Sequence, residues 1–177
     1  MRTGFTGCKR AAVAVMTGAA AAAAAGLVMT SPAGASQVAA SSPAAVSGTE
    51  HLQIMTTSAT ASTASVIVWG VFTAAGVDHM GNTIDTVVLP GGTIKVKHPG
   101  GGGPPNFNTK TCLLTASERA AYTFVGGTGK YKGITGHGIA TVSIVGIAAK
   151  VKGACSQTAP PVAFHQVING SGPVRVP

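Results

Sequence analysis

Apolar and polar residues alternate along most of the chain after residue 50, and this period of two predicts β-strands. In the clearest run, 65–74, both faces are largely apolar, which is typical of a strand covered on each side or lining a closed cavity. No sustained helical period follows residue 50. The predicted strands cover 50–57, 65–74, 83–89, 93–98, 111–124, 139–145, 148–155 and 162–169. Strands this short, separated by Gly, Pro and Asn turn signals, predict an all-β sandwich or barrel, and closing a barrel leaves no strand edge exposed.

The amino terminus has a different pattern, which is typical of export. A positively charged start precedes the uncharged apolar run 11–29, and Ala33-Gly34-Ala35 supplies the small residues that a signal peptidase reads. We interpret 1–35 as a signal peptide cleaved after Ala35, since the alanine-rich run is only weakly hydrophobic for a retained membrane anchor. Residues 36–49 lack periodicity and are predicted to be a disordered linker, so the β-domain is assigned to 50–177. The predicted location is extracellular or the cell envelope.

The chain is basic, with 12 Lys and Arg against 4 Asp and Glu and a formal charge of +8. Most lysines after residue 35 occur in pairs two residues apart, such as Lys95 and Lys97, which places both on one face of a strand. Such pairs are typical of a solvated sheet face. No aromatic residues are interleaved with them to stack on bases, so we predict no nucleic-acid partner. Contact with a membrane is expected only through the signal peptide before cleavage.

Cysteine and histidine spacing bears on crosslinks and metals. Cys112 and Cys155 are the two cysteines that follow the predicted cleavage site, and an even pair in an exported protein predicts a disulfide. A metal pair or a nucleophilic thiol is the alternative, but neither cysteine has a CxxC partner or a neighbouring His. The five histidines show no HxxxH or HExxH spacing. We therefore predict no metal site and no cofactor.

Glycines crowd the segment 124–138, which is the most distinctive part of the chain. A phosphate-binding loop would need Ser or Thr after Gly129-Lys130, and Tyr131 stands there instead. We interpret the segment as a structural return between two strands, in which glycines allow positive φ and Tyr131 folds back as an apolar plug. Gly127, Gly129, Tyr131 and Gly133 are its predicted structural residues.

The same segment carries a family resemblance. Phe124-Val125-Gly126-Gly127-Thr128-Gly129-Lys130-Tyr131-Lys132-Gly133, followed by Thr135-Gly136-His137-Gly138, resembles the Gly-Thr-Gly-(Lys/Arg)-(Tyr/Phe)-x-Gly hallmark of the allene oxide cyclase and dirigent barrels. It is most similar to the small secreted actinobacterial proteins with such a barrel. The resemblance implies a calycin-like, eight-stranded antiparallel barrel with an apolar cavity. The signal peptide interpreted from 1–35 would precede this barrel as a helix. The plant enzymes cyclise an epoxide or steer radical coupling, but their catalytic constellation has no residue-by-residue match here.

Three polar residues are the catalytic candidates. Asp78 and His79 are adjacent, so they converge only in a loop, and the alternative for Asp78 is capping of backbone amides in a turn. Asp85 shares a strand face with Val87 and Leu89, which places it inside if they are in the core. A buried carboxylate needs a partner, and Arg119 or a lysine is expected. The predicted role of Asp85 is to polarise a ligand or to form a structural ion pair.

The predicted ligand cavity is lined by aromatic residues and one carboxylate. These residues are Trp69, Phe72, Asp85, Tyr122 and Phe164. The leading hypothesis is a secreted barrel that binds a small apolar or aromatic molecule, or serves as a non-catalytic envelope module. The second is a cyclase or isomerase working inside the barrel. The third is a basic envelope-surface interaction protein, which a solid barrel without a cavity would favour.

Overall fold

The computed structural model describes residues 44–100 and 103–177, and within them the chain is all-β. The predicted signal peptide, 1–35, and residues 36–43 of the predicted linker lie outside this range. The strands are β1 (Val46–Thr56), β2 (Thr63–Trp69), β3 (Ala74–His79), β4 (Ile84–Leu89), β5 (Gly92–Lys97), β6 (Asn106–Asn108), β7 (Leu113–Gly127), β8 (Thr135–Ile147), β9 (Lys150–Val151), β10 (Ala154–Cys155) and β11 (Ala163–Val176). A short 3-10 helix, Gly129–Tyr131, joins β7 to β8.

Eight of these strands form a closed antiparallel barrel. Their order is β5-β4-β3-β2-β1-β11-β8-β7, and β7 pairs back onto β5 to complete the ring. The short β6 pairs with the start of β7, and β9 and β10 form a separate hairpin. The all-β prediction is confirmed, and of its two architectures the chain forms the barrel. No helix in the described ranges is long and apolar enough to cross a membrane.

Strand alternation divides each strand into an inner and an outer face. On β2 the buried residues are Ala64, Val66 and Val68, and every residue between them is exposed. The inner faces together make one apolar core, which also includes Ile94 and Ile134. The period of two in the sequence therefore corresponds to inside and outside of the barrel.

Several strands are longer than the sequence pattern predicts. β1 begins at Val46, inside the segment assigned to the linker, because 46–49 pair with β11. β8 continues through Gly146, which pairs with Phe164 in the ladder and does not break the strand. β11 continues through 170–173, where backbone pairing to β1 outweighs the local Gly and Pro turn signal.

The two ends of the barrel differ. At one end, which we call the plug end, Tyr131 is 6% exposed and packs on Phe72 with ring centroids 5.1 Å apart. At the other, the loop end, β7, β8 and β11 run beyond the short strands β2 to β5. The Cys112–Cys155 disulfide lies at the loop end and ties the start of β7 to β10. The predicted crosslink is confirmed, with a Cα–Cα distance of 5.2 Å.

Candidate functional site

A cavity of about 440 Å³ occupies the barrel interior, within the usual range for small-molecule sites. Its wall is mainly aliphatic, with side chains such as Val66, Val142 and Ile168. At the loop end the exposed residues Pro99, Gly103 and Pro105 line it and form a rim. The barrel is therefore not the solid body that the surface-interaction hypothesis favours.

The predicted cavity residues do not all lie in the cavity. Phe72, Tyr122 and Phe164 line it, as does Asp85. Trp69 does not: it is 42% exposed and stacks on His51 outside the barrel, with ring centroids 5.4 Å apart. The prediction that Trp69 lines the cavity is wrong. Both faces of its strand are apolar, so alternation separates the two faces but does not identify the inner one.

Asp85 faces inward, in the direction that its strand parity predicts. Val87 and Leu89 on the same face are buried, and the Asp85 side chain is 14% exposed. Its Oδ1 accepts a hydrogen bond of 2.7 Å from the Gly81 amide. The prediction that Arg119 or a lysine pairs with Asp85 is wrong. Arg119 is exposed, since it follows the inward-facing Glu118 by one position, and the lysines of the described ranges are exposed as well.

The actual charged partner of Asp85 is His98. Its Nε2 lies 3.2 Å from Asp85 Oδ1, within ion-pair distance, although the angle is poor for a hydrogen bond. Its Nδ1 donates to the Pro99 carbonyl at 2.9 Å, which fixes the ring. Burial by itself lowers the pKa of His98, but the Pro99 carbonyl and Asp85 outweigh it and the pKa is raised. The available signal was parity, since His98 shares a face with Ile94 and Val96, but His98 precedes a glycine run that is typical of solvated loops and the pair was not singled out.

Asp78 and His79 lie on opposite faces of β3. Asp78 is 0% exposed and His79 is exposed, so these neighbours do not converge and His79 is not part of the cavity. Asp78 is within a strand and neither carboxylate oxygen has a hydrogen-bond partner, so the alternative of turn capping is also wrong. Burial, reinforced by the charge of Asp85, raises the pKa of Asp78 to about 7. Asp78, Asp85 and His98 thus form a titratable cluster at the loop end, with Asp85 and His98 on the cavity wall.

A second polar group lies on the cavity wall toward the plug end and was not singled out from the sequence. Glu50 on β1 is 1% exposed, and its Oε2 accepts hydrogen bonds from the Val71 and Phe72 amides at 2.7 and 3.3 Å. Its Oε1 has no partner. Burial raises the pKa of Glu50 despite the two amides. Glu50 shares a strand face with Leu52 and Ile54, and this shared parity is the sequence signal that would have placed it inside the barrel.

Tyr122 lies close enough to Glu50 for the charge of the carboxylate to affect the pKa of its hydroxyl. The ring is 4% exposed and the hydroxyl has no hydrogen-bond partner. Burial, with a contribution from Glu50, raises the pKa of Tyr122 to about 12. A Cβ at Gly138 would lie 2.5 Å from the Tyr122 hydroxyl oxygen. The Thr-Gly-His-Gly motif therefore has a packing role: Gly138 leaves room for the aromatic ring that lines the cavity.

The glycine-rich segment itself is structural. Gly129 has φ +57, and a Cβ there would collide with the Gly91 carbonyl in the adjacent β4–β5 turn. Tyr131 donates a 3.3 Å hydrogen bond to the Pro90 carbonyl and packs against Phe72. The exposed Lys130 and Lys132 point away from the cavity. This segment closes the plug end and positions Phe72 on the cavity wall.

None of the protein-family models, curated proteins or solved structures compared with this chain matches it. Across 44–100 and 103–177, no group of three or more His, Cys, Asp or Glu side chains is arranged to hold a metal ion. The features that bear on function are therefore the geometry of the barrel and its cavity.

Proposed function

We propose that this protein is a secreted barrel that binds a small apolar or aromatic molecule in its interior without transforming it. The observation that carries the proposal is the cavity of about 440 Å³, lined mainly by aliphatic side chains and bordered by Phe72, Tyr122 and Phe164. Filled barrels use these inward positions for packing, whereas here they surround free space. The disulfide is consistent with the extracellular location.

The proposal includes the family suggested by the glycine motif. We propose an allene oxide cyclase/dirigent-like, calycin-like barrel of the type found in small secreted actinobacterial proteins. Two observations support it: the closed ring of eight antiparallel strands, and the use of the motif to close one end of that ring through Tyr131. A role as a non-catalytic envelope module is compatible with the same cavity.

Titration with the neutral fluorophore N-phenylnaphthylamine tests binding in the cavity. We expect saturable fluorescence enhancement with wild type and much weaker enhancement with Ala120→Phe, because Ala120 lines the cavity and a phenyl ring there would occupy part of the space that the fluorophore needs. Ala75→Phe is the matched control, since Ala75 is exposed on β3 and does not line the cavity. Equal binding by wild type and Ala120→Phe, or no binding by wild type, would refute the proposal.

A second candidate function has one observation in its favour. Asp85 and His98 form a titratable pair on the cavity wall, 3.2 Å apart, as a general acid and base acting on a bound molecule would require. This favours a cyclase or isomerase inside the barrel. Incubation with a neutral alkyl epoxide distinguishes the two functions: pure binding leaves the epoxide intact. Conversion by wild type that Asp85→Asn abolishes would replace the binding proposal with catalysis.

A further inference from the structure

Acidic and basic side chains are segregated between the inside and the outside of the barrel. The chain has four acidic residues, and all of them face inward: Glu50, Asp85 and Glu118 line the cavity, and Asp78 is fully buried beside Asp85. The Lys and Arg residues of the described ranges are all exposed: Lys95, Lys97, Lys110, Arg119, Lys130, Lys132, Lys150, Lys152 and Arg175. Among described residues, therefore, no lysine or arginine neutralises the carboxylates of the cavity.

The inward carboxylates have few partners of any kind. The one ion pair found in the described part of the chain is Asp85 with His98, at the loop end. Toward the plug end, Glu50 Oε1 and the Tyr122 hydroxyl are both buried, both on residues that line the cavity, and neither is hydrogen-bonded. Buried polar atoms are satisfied in nearly all native proteins, by protein groups or by ordered water, so these two atoms are where a molecule in the cavity would find hydrogen-bond partners.

We infer that the ligand of this cavity is a cationic amphiphile: a protonated alkyl or aryl amine whose ammonium group binds at Glu50 and whose apolar body lies along the aliphatic wall. The inference rests on the proposed function and specifies its ligand class. An ammonium group has three N–H donors, enough for Glu50 Oε1 and the Tyr122 hydroxyl. A ligand carboxylate has no donor and meets the acidic wall, while an alcohol supplies a single donor and no charge.

Burial of Glu50 supports the same choice of ligand. An isolated carboxylate in an apolar cavity is costly, and an opposite charge within contact distance offsets that cost. The Val71 and Phe72 amides hold Oε2 in place and leave Oε1 free. Oε1 and the Tyr122 hydroxyl are both covered by their neighbours, so binding of the ammonium group requires a small shift of these side chains that uncovers them.

Three ligands with the same apolar chain test the inference: octylamine, octanol and octanoate, each displacing N-phenylnaphthylamine near neutral pH. We expect octylamine to bind more tightly than octanol by about tenfold or more, and octanoate to bind most weakly. Displacement from Ala120→Phe is measured alongside, because this variant has a smaller cavity and an unchanged outer surface. Equal affinities for octylamine and octanol would overturn the cationic ligand but leave the proposed function intact. Failure of all three ligands and the fluorophore to bind would overturn both.

Variants at two lining carboxylates test the assignment to Glu50. Glu50→Gln retains an oxygen that can accept the Val71 and Phe72 amides, so we expect a folded protein by circular dichroism that binds octanol as before and loses its preference for octylamine. Glu118→Gln is the matched control and should keep most of that preference. Loss of the preference in Glu118→Gln alone would overturn the assignment to Glu50. If Glu50→Gln does not fold, the comparison of ligands on wild type still decides the charge of the ligand.

Discussion

Substituting Asp78 with Asn is expected to stabilise the protein at neutral and alkaline pH. Asp78 is 0% exposed, has no hydrogen-bond partner and lies near Asp85, and burial raises its pKa from an ordinary value of 3.8 to about 7. Because the folded state holds the proton more tightly than the unfolded chain, ionisation removes stability as the pH rises from 3.8 to about 7. At about 1.36 kcal/mol per pH unit, that difference costs the folded state up to about 4 kcal/mol. Asn has nearly the same shape and no charge.

Urea unfolding of wild type and Asp78→Asn over a range of pH measures this effect. With a urea m-value of about 2 kcal/mol/M, the gain should raise the midpoint by up to about 2 M at alkaline pH. Near pH 4 the two proteins should be similar, because the folded wild type then carries a neutral carboxyl; this comparison is the internal control. An Asp78→Asn midpoint equal to that of wild type, or lower, at about pH 9 would contradict the predicted cost of ionising Asp78.

Three further predictions concern the pairing of His98, the disulfide and the packing at Gly138. The pKa of His98 is raised in the folded state, so its pairing with Asp85 contributes stability below pH 6.5 that is lost as the pH rises through the pKa of the folded state. His98→Gln should therefore cost about 1 kcal/mol in mildly acidic solution and little in alkaline solution. Thermal melts measure the difference. Replacing Cys112 and Cys155 together by Ala should cost about 4 kcal/mol, the loop-closure value for a sequence separation of 43; an unchanged urea midpoint would contradict it. Gly138→Ala should lower stability by about 3 kcal/mol because the added Cβ overlaps Tyr122 and the Ser171 carbonyl. Gly103→Ala, with no atom within 4 Å of the added Cβ, should not change the melting temperature.

The candidate site was partly predictable from alternation. Parity with Val87 and Leu89 placed Asp85 inside, and the structure has it on the cavity wall. The same parity, applied to Leu52 and Ile54, would have placed Glu50 there. The contact between Asp85 and His98 depends on the register of β5 against the start of β4, where Asp85 is opposite Val96 and His98 follows two residues later on the same face.

Strand ends were harder to predict than strand faces. Glycine and proline are local turn signals, and they suggested breaks at Gly146 and near Pro173. Both residues lie within long strands, because β8 and β11 are paired on both sides and the backbone hydrogen bonds of the ladder hold the chain extended. Pairing between segments distant in the sequence outweighs these local preferences.

The all-β class, the Cys112–Cys155 crosslink and the two faces of each strand follow from alternation and cysteine number, which can be read directly from the amino-acid sequence. Where both faces of a strand are apolar, tertiary packing selects the inner one, and it leaves Trp69 outside. It also decided that all four carboxylates meet within one barrel, because ring closure brings β1, β3, β4 and β7 around a common interior. The acidic character of the barrel interior therefore arises only when the whole ring closes.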